Sequence, residues 1–224
     1  MNLLNVFHWS KLTLTLVALG LGILLASTPI IIIALAFLFL IRFEKRLKLK
    51  IPSGLATTFM LFIISSLVLG SYYNFYERFS WWDDVLHAFY GGAFALIGFL
   101  VIQYVSVKRG TDNDVFIVCL FSFCFSVTFG AMWEIYEFTY DSLTGGNMQR
   151  TEHGRGVNDT MHDLILESAS ALILNIFIYL YIASGADNLV SRIWESFLLA
   201  NNPRETLREE IAKRREARRA REQS

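Results

Sequence analysis

Long apolar segments follow one another along the first 184 residues and constrain the fold more than any other feature. A helix needs roughly 20 apolar residues to cross the hydrocarbon core of a bilayer. The sequence offers candidate spans at residues 11–27, 29–43, 54–72, 84–106, 114–139 and 160–184. Hydrophobic residues make up 54% of the chain, a share that favours a membrane protein over a soluble one. We therefore predict an all-α, polytopic transmembrane helix bundle of six spans in the cell membrane.

The first two candidate spans are short, and the sequence leaves open how they are joined. The sequence STP at residues 27–29 is typical of a tight turn in which the proline opens the second helix. Alternatively, residues 11–43 form one long tilted helix, which gives five spans. In the six-span arrangement the N- and C-termini both lie in the cytoplasm.

Basic side chains collect on alternate connections, and this asymmetry predicts the orientation. The richer connections hold Arg42, Lys45, Arg46, Lys48 and Lys50 after the second span, and Lys108 and Arg109 after the fourth. The opposite connections hold Arg78, Arg150 and Arg155. Under the positive-inside rule the richer connections face the cytoplasm. We predict two domains, a transmembrane helical domain at 1–184 and a cytoplasmic amphipathic and charged helical tail at 185–224.

Three pairs of ionisable side chains lie where apolar spans begin or end. They are Asp84 and His87 at the start of the fourth span, Glu134 and Glu137 near the end of the fifth, and Asp159 and Asp163 at the start of the sixth. Residues three or four apart share a helix face, so each pair can point in one direction. With the predicted topology, all three pairs fall in one shallow layer near the extracytoplasmic face.

Carboxylates gathered in a low-dielectric layer repel one another unless protons, basic side chains or a cation neutralise them. Helix bundles build metal sites from carboxylates and imidazoles on facing helices. We predict a divalent metal bound by these six side chains, and ligand type alone leaves zinc, manganese, iron and magnesium open. Supporting residues outside the ligand set are predicted to be Asp83, Arg155, His162 and Glu167.

Each of these residues also has a structural interpretation. Asp84 and Asp159 lie at predicted helix N-termini, where an aspartate commonly caps the helix. A single buried histidine is commonly a packing residue. Glu134 and Glu137 can instead lie at the membrane interface. The joint occurrence of all six near one face favours a functional site.

Three motifs from this region together resemble a known family. The stretches DDVLH, WEIYE and NDTMHDL resemble, in the same order, motifs of the DUF2238 or YjdF-like family of bacterial inner-membrane proteins. The resemblance covers residues 80–170, with Asn158 and Leu164 replacing a tryptophan and a methionine of the family pattern. A looser similarity links the spacing from Asp83 to His87, together with Arg155, to VanZ-like proteins, which are associated with glycopeptide resistance. These resemblances imply the position of the site rather than its chemistry.

The sequence supports three functional hypotheses. The first is metal-assisted hydrolysis or transfer on a lipid or envelope precursor at the outer leaflet. The second is transport of a proton or cation through the acidic cluster. The third is a structural membrane protein whose acidic groups only hold the bundle together. Membrane lipid is the expected partner, no nucleic acid is expected, and the sequence assigns neither catalytic residues nor an oligomeric state.

Overall fold

A computed structural model describes residues 3–25, 30–31, 34–35, 37–38, 42, 50–149 and 156–201. The helices are α1 (Leu3–Leu24), α2 (Ser53–Ile64), α3 (Phe75–Arg78), α4 (Trp82–Arg109), α5 (Val115–Thr144), α6 (Gly156–Ser184) and α7 (Leu189–Asn201). Within these ranges no residue belongs to a β-strand. The predicted all-α fold is therefore confirmed for the described part of the chain.

Four described segments are long and apolar enough to cross a membrane. They are Gly54–Tyr72, Trp82–Arg109, Val115–Thr144 and Gly156–Ser184, and Thr13–Leu24 is a shorter apolar helix. The four long segments coincide with the predicted third to sixth spans. The predicted turn at 27–29, and with it the choice between one and two spans across 11–43, lies outside the described residues. The same holds for the charged tail beyond residue 201.

One compact unit combines the described parts of residues 1–82 with residues 193–201. Its apolar core joins Ala18 of α1 to Ala34 and to Met60 of α2. Helix α2 continues as a π-helical segment, Ser65–Tyr72, against which Tyr76 packs so closely that a Cβ on Gly70 would overlap the Tyr76 ring. The π-helical turn was not predicted, because hydropathy over 54–72 registers the apolar length but not the helix type.

The second compact unit, residues 83–192, contains most of α4 and all of α5 and α6. Interhelical contacts fix the directions of these helices. The Ser126 hydroxyl of α5 donates to the Gly91 carbonyl oxygen of α4 over 2.7 Å. One turn farther along α4, the Ala95 carbonyl oxygen accepts from the Ser122 hydroxyl over 2.7 Å. The two helices are therefore antiparallel. Ser170 of α6 donates to the Ala88 carbonyl oxygen. Farther along both helices, the ring of Phe99 on α4 packs edge-on against that of Tyr181 on α6, with 6.2 Å between the ring centroids. Helices α4 and α6 therefore run in the same direction, and α5 runs in the opposite one.

Small residues allow these helices to approach closely, as in many membrane bundles. A Cβ on Gly91 would overlap the backbone of Glu167, and a Cβ on Gly98 would lie 2.9 Å from the Phe125 Cβ. The small-residue face of α4 thus packs against both neighbouring helices.

The helices extend beyond the predicted spans at the end that carries the acidic groups. Helix α5 continues to Thr144 and stops where Gly145 adopts a left-handed φ of 69°. The carboxylate of Asp141 then accepts hydrogen bonds from the backbone N–H groups of Met148 (2.8 Å) and Gln149 (2.9 Å). Hydropathy marks the apolar part of a helix, whereas capping and turn residues decide where the helix itself ends.

Candidate metal centre

His87 lies at the centre of the polar cluster, one turn into α4. Its side chain is buried, and its Nδ1–H donates to the Oε1 of Glu167 on α6 over 2.9 Å. A neutral imidazole that donates from Nδ1 carries a lone pair on Nε2. The hydrogen bond to Glu167 therefore selects the tautomer in which Nε2 is free to bind a metal.

Two carboxylates face that second ring nitrogen. The Asp83 Oδ1 lies 3.6 Å from the His87 Nε2, and the Asp163 Oδ2 lies 3.9 Å from it. Both distances exceed the 2.7–3.2 Å of an N–H···O hydrogen bond. The ligand atoms of these three residues, which we call the His87 group, all lie within 4.8 Å of one another.

The spacing of the His87 group is close to what a metal ion requires. With metal–ligand bonds of about 2.0–2.1 Å, two ligand atoms of a tetrahedral zinc site are separated by about 3.3 Å. The observed separations from Nε2 exceed this value by a few tenths of an ångström, within reach of a small side-chain rotation. One imidazole with two carboxylates suits zinc, manganese or iron, and magnesium is compatible with the carboxylates.

A second set of potential ligands adjoins the first. Asp84, His162 and Asp163, here called the His162 group, also place their ligand atoms within 4.8 Å of one another. The His162 Nδ1 lies 3.5 Å from the Asp84 Oδ1. The two groups differ in exposure, since the side chain of His162 is 57% exposed and that of His87 only 8%.

Two glutamates of α5 lie buried on the same side of this unit but outside both groups. Both oxygens of Glu134 are buried and have no hydrogen-bond partner among the described residues, although the Thr160 hydroxyl lies nearby. The Oε1 of Glu137 accepts a hydrogen bond of 2.9 Å from the Trp133 Nε1–H. The Oε2 of Glu167 is also buried, and no described residue forms a hydrogen bond with it. It points at Gly130, where a Cβ would overlap it.

The structure thus distributes the predicted ligands unequally. Asp84, His87 and Asp163 belong to the two ligand groups, together with Asp83 and His162, which were predicted as supporting residues. Glu134 and Glu137 are buried outside the groups, and Asp159 is half-buried in the first turn of α6. Glu167 forms a hydrogen bond with His87, and its supporting role at a metal site stays a prediction. Arg155 lies outside the described residues.

Sequence reasoning overlooked the small residues of α5. Ser122, Ser126 and Gly130 follow one another at intervals of four and are all buried. That spacing, continued by Glu134, places them in one stripe facing α4 and α6. The repeat is visible in the sequence and would have indicated the packed face of α5.

Comparison with known proteins gives one family and one relative. Residues 6–184 match the family described as "Predicted membrane protein (DUF2238)". A protein of Thermotoga maritima described as "Uncharacterized protein" is 33% identical over 126 residues, which is 56% of this chain and 62% of that protein. The chain thus aligns with less than two thirds of that relative's length. No solved structure matches the chain.

The matched region contains the four long apolar helices and both ligand groups. Helices of this length and hydropathy fit a protein that crosses the cell membrane several times. The chain accordingly belongs to the DUF2238 family of predicted membrane proteins.

Proposed function

We propose that this protein binds a divalent metal ion through Asp83, His87 and Asp163 near the extracytoplasmic face of the membrane. The observation that carries the proposal is the environment of His87. Glu167 takes the Nδ1–H, while Nε2 faces two carboxylate oxygens at distances too long for hydrogen bonds. Carboxylate–histidine–metal arrangements of this kind are common in metal sites.

Charge balance supports a cation at this place. Glu134, Glu137, Asp163 and Glu167 are at most 8% exposed and lie in one unit with His87, the only buried histidine among the described residues. Even a protonated His87 would offset only one carboxylate. Charges in such surroundings need a partner, because the cost of desolvating them is several kcal/mol each. A divalent ion would supply two positive charges between ligands that already face one another.

The reaction that such an ion best supports is hydrolysis or group transfer. A bound metal polarises a carbonyl or phosphoryl oxygen and lowers the pKa of its water, which turns that water into a nucleophile near neutral pH. We infer a lipid or envelope precursor as substrate, because the predicted topology puts the cluster at the outer membrane interface. The looser likeness to VanZ-like proteins at Asp83 and His87 is compatible with such a substrate.

The metal content of the full-length protein, purified in detergent, tests this proposal. We expect about one equivalent or more of a transition metal or magnesium in the wild type by elemental analysis, and loss of most of it in His87→Ala and in Asp163→Ala. Asp112→Ala is the matched control, since it removes an exposed carboxylate in the α4–α5 connection and should leave the metal in place. Monodispersity and melting temperature would verify that each variant is folded.

A wild-type protein that neither retains a metal nor binds one on titration would refute the proposal. Folded His87→Ala and Asp163→Ala variants with wild-type metal content would do so as well. Lower melting temperature in these variants, with no metal in any of the proteins, would favour the purely structural role.

Cation or proton transport is a second candidate, and one buried side chain favours it. Asn175 lies two turns beyond Glu167 on α6, and its Oδ1 is buried without a partner among the described residues. A polar group at that position would extend the acidic cluster toward the opposite face. Flux of protons or divalent cations into proteoliposomes, abolished by Asn175→Leu, would distinguish transport from hydrolysis at a fixed ion.

A further inference from the structure

The His87 and His162 groups both lie at the N-terminal ends of α4 and α6. Asp83 and Asp84 are neighbours in the first turn of α4, and His162 and Asp163 are neighbours in the second turn of α6. Consecutive residues of a helix point about 100° apart. The two parallel helices therefore present two sets of ligands side by side, and both sets include Asp163.

Asp163 is the residue that connects the groups. It is only 3% exposed, and no described residue donates a hydrogen bond to it. Among the residues that the structure describes, the only basic nitrogen within 4.0 Å of it is the His87 Nε2. An ionised carboxylate has two oxygens that can each accept from a different partner. A buried carboxylate that two ligand groups share, and that accepts no hydrogen bond from the described part of the chain, is suited to bridging two cations.

The His162 group has ligand-like distances of its own. The 3.5 Å between the His162 Nδ1 and the Asp84 Oδ1 is too long for a hydrogen bond but close to the separation of two ligands on one ion. The group combines an imidazole with two carboxylates, as the His87 group does. Its exposed histidine places it on the solvent side of the cluster.

We propose that the site holds two divalent cations bridged by the carboxylate of Asp163, the second one bound by Asp84 and His162. This inference rests on the proposed metal site at His87 and extends it from one ion to two. Carboxylate-bridged pairs in other proteins hold their ions about 3.5–4 Å apart, where one ion activates the attacking oxygen and the other stabilises the leaving oxygen. The more exposed second ion is the one that reaches an incoming substrate and exchanges faster.

Manganese binding to the full-length protein in detergent provides the test. Mn²⁺ is the probe because two ions joined by a carboxylate are magnetically coupled, and electron paramagnetic resonance separates a coupled pair from an isolated ion. For the wild type we expect two Mn²⁺ per chain and the spectrum of a coupled pair. His162→Ala should bind one Mn²⁺ and give the resolved hyperfine pattern of an isolated ion.

Two further variants complete the comparison. Met161→Ala changes an exposed neighbour of His162 that offers no ligand, so it should keep both ions and the coupling. Asp163→Asn should lose the coupling, because an amide is a poor bridging ligand. The exposed position of His162 means that its replacement is not expected to disturb folding, which a melting curve would verify.

The possible failures are distinguishable. One Mn²⁺ in the wild type, kept in His162→Ala and lost in His87→Ala, would overturn the two-ion proposal while the single site stands. Two uncoupled ions would also overturn it, because Asp163 would then not bridge them. Absence of Mn²⁺ and of every other divalent metal from the wild type would overturn both proposals together.

Discussion

Glu167 fixes the orientation and the tautomer of the His87 ring through a single hydrogen bond. It is 1% exposed, and its Oε1 accepts the Nδ1–H of His87 over 2.9 Å. Carboxylate partners of this kind orient the ring, fix its tautomer and raise its basicity, and their loss typically costs 10–100-fold in metal affinity. In the proposed metal site, this side chain would therefore act on the metal through His87 rather than by direct contact.

We expect Glu167→Ala to weaken metal binding by about 10–100-fold, and Glu167→Gln to weaken it less. Glutamine still offers a carbonyl oxygen to the Nδ1–H but lacks the negative charge. Competition with a metal chelator of known affinity measures the change, and melting temperatures of the metal-free proteins separate it from a loss of stability. Unchanged affinity in a folded Glu167→Ala protein would contradict the role assigned to Glu167.

Single residues also mark the limit of what the sequence can predict here. Both Asp83 and Asp84 have a helical spacing that allows contact with His87, at four and three residues respectively. The sequence analysis favoured Asp84 as a ligand and gave Asp83 a supporting role, whereas in the structure Asp83 faces the His87 Nε2 and Asp84 faces His162. The rotation of α4 about its axis decides between them, and that rotation depends on packing against α6. Whether either carboxylate binds a metal stays a prediction.

At the level of whole helices, the close contact between α4 and α6 positions the ligand groups. Gly91 lies one turn beyond His87, and a Cβ there would overlap the backbone carbonyl of Glu167. Backbone atoms cannot rotate away as a flexible side chain can. Any residue larger than glycine must therefore push the helices apart just below the ligands.

We expect Gly91→Ala to destabilise the protein by about 1–3 kcal/mol, the usual cost of overpacking a filled core. It should also weaken metal binding, because Glu167 and Asp163 move away from α4 together. Gly54→Ala is the control, since nothing lies within 4 Å of a Cβ at that position of α2. Thermal unfolding in detergent without metal measures the loss of stability, and the additional stabilisation on adding metal measures binding. If Gly91→Ala and Gly54→Ala gave equal melting temperatures and equal stabilisation by metal, this contact would not position the site.

The helices themselves follow from the sequence more directly than their packing does. The four long apolar segments were predicted within a few residues, because the thickness of a bilayer imposes a minimum apolar length. Gly91, Gly92, Ala95 and Gly98 recur at helical spacing in α4, and small residues at such spacing indicate a face on which membrane helices pack closely. The partners Ser122, Ser126 and Gly130 on α5 escaped notice, because serine is weakly polar and adds little to an apolar or a charged pattern.

For the whole molecule, the direction of the helices in the membrane determines which compartment the site faces. Lys108 and Arg109 end α4, and the acidic groups lie at its other end. The predicted cytoplasmic position of the α4–α5 connection therefore implies an extracytoplasmic site. Hydropathy alone does not distinguish the two sides of the membrane, so the predicted orientation depends on the basic residues.

Single-cysteine labelling in intact cells would test this orientation. In a background with Cys119 and Cys124 replaced by alanine, Ser142→Cys marks the end of α5 that carries the site, and Asp112→Cys marks the opposite connection; both positions are exposed. We expect a membrane-impermeant maleimide to label Ser142→Cys in intact cells and Asp112→Cys only after permeabilisation, because the positive-inside rule predicts a cytoplasmic position for the connection that follows Lys108 and Arg109. The reverse pattern would place the ligand groups on the cytoplasmic side, where a metal site could still exist but an outer-leaflet substrate could not reach it.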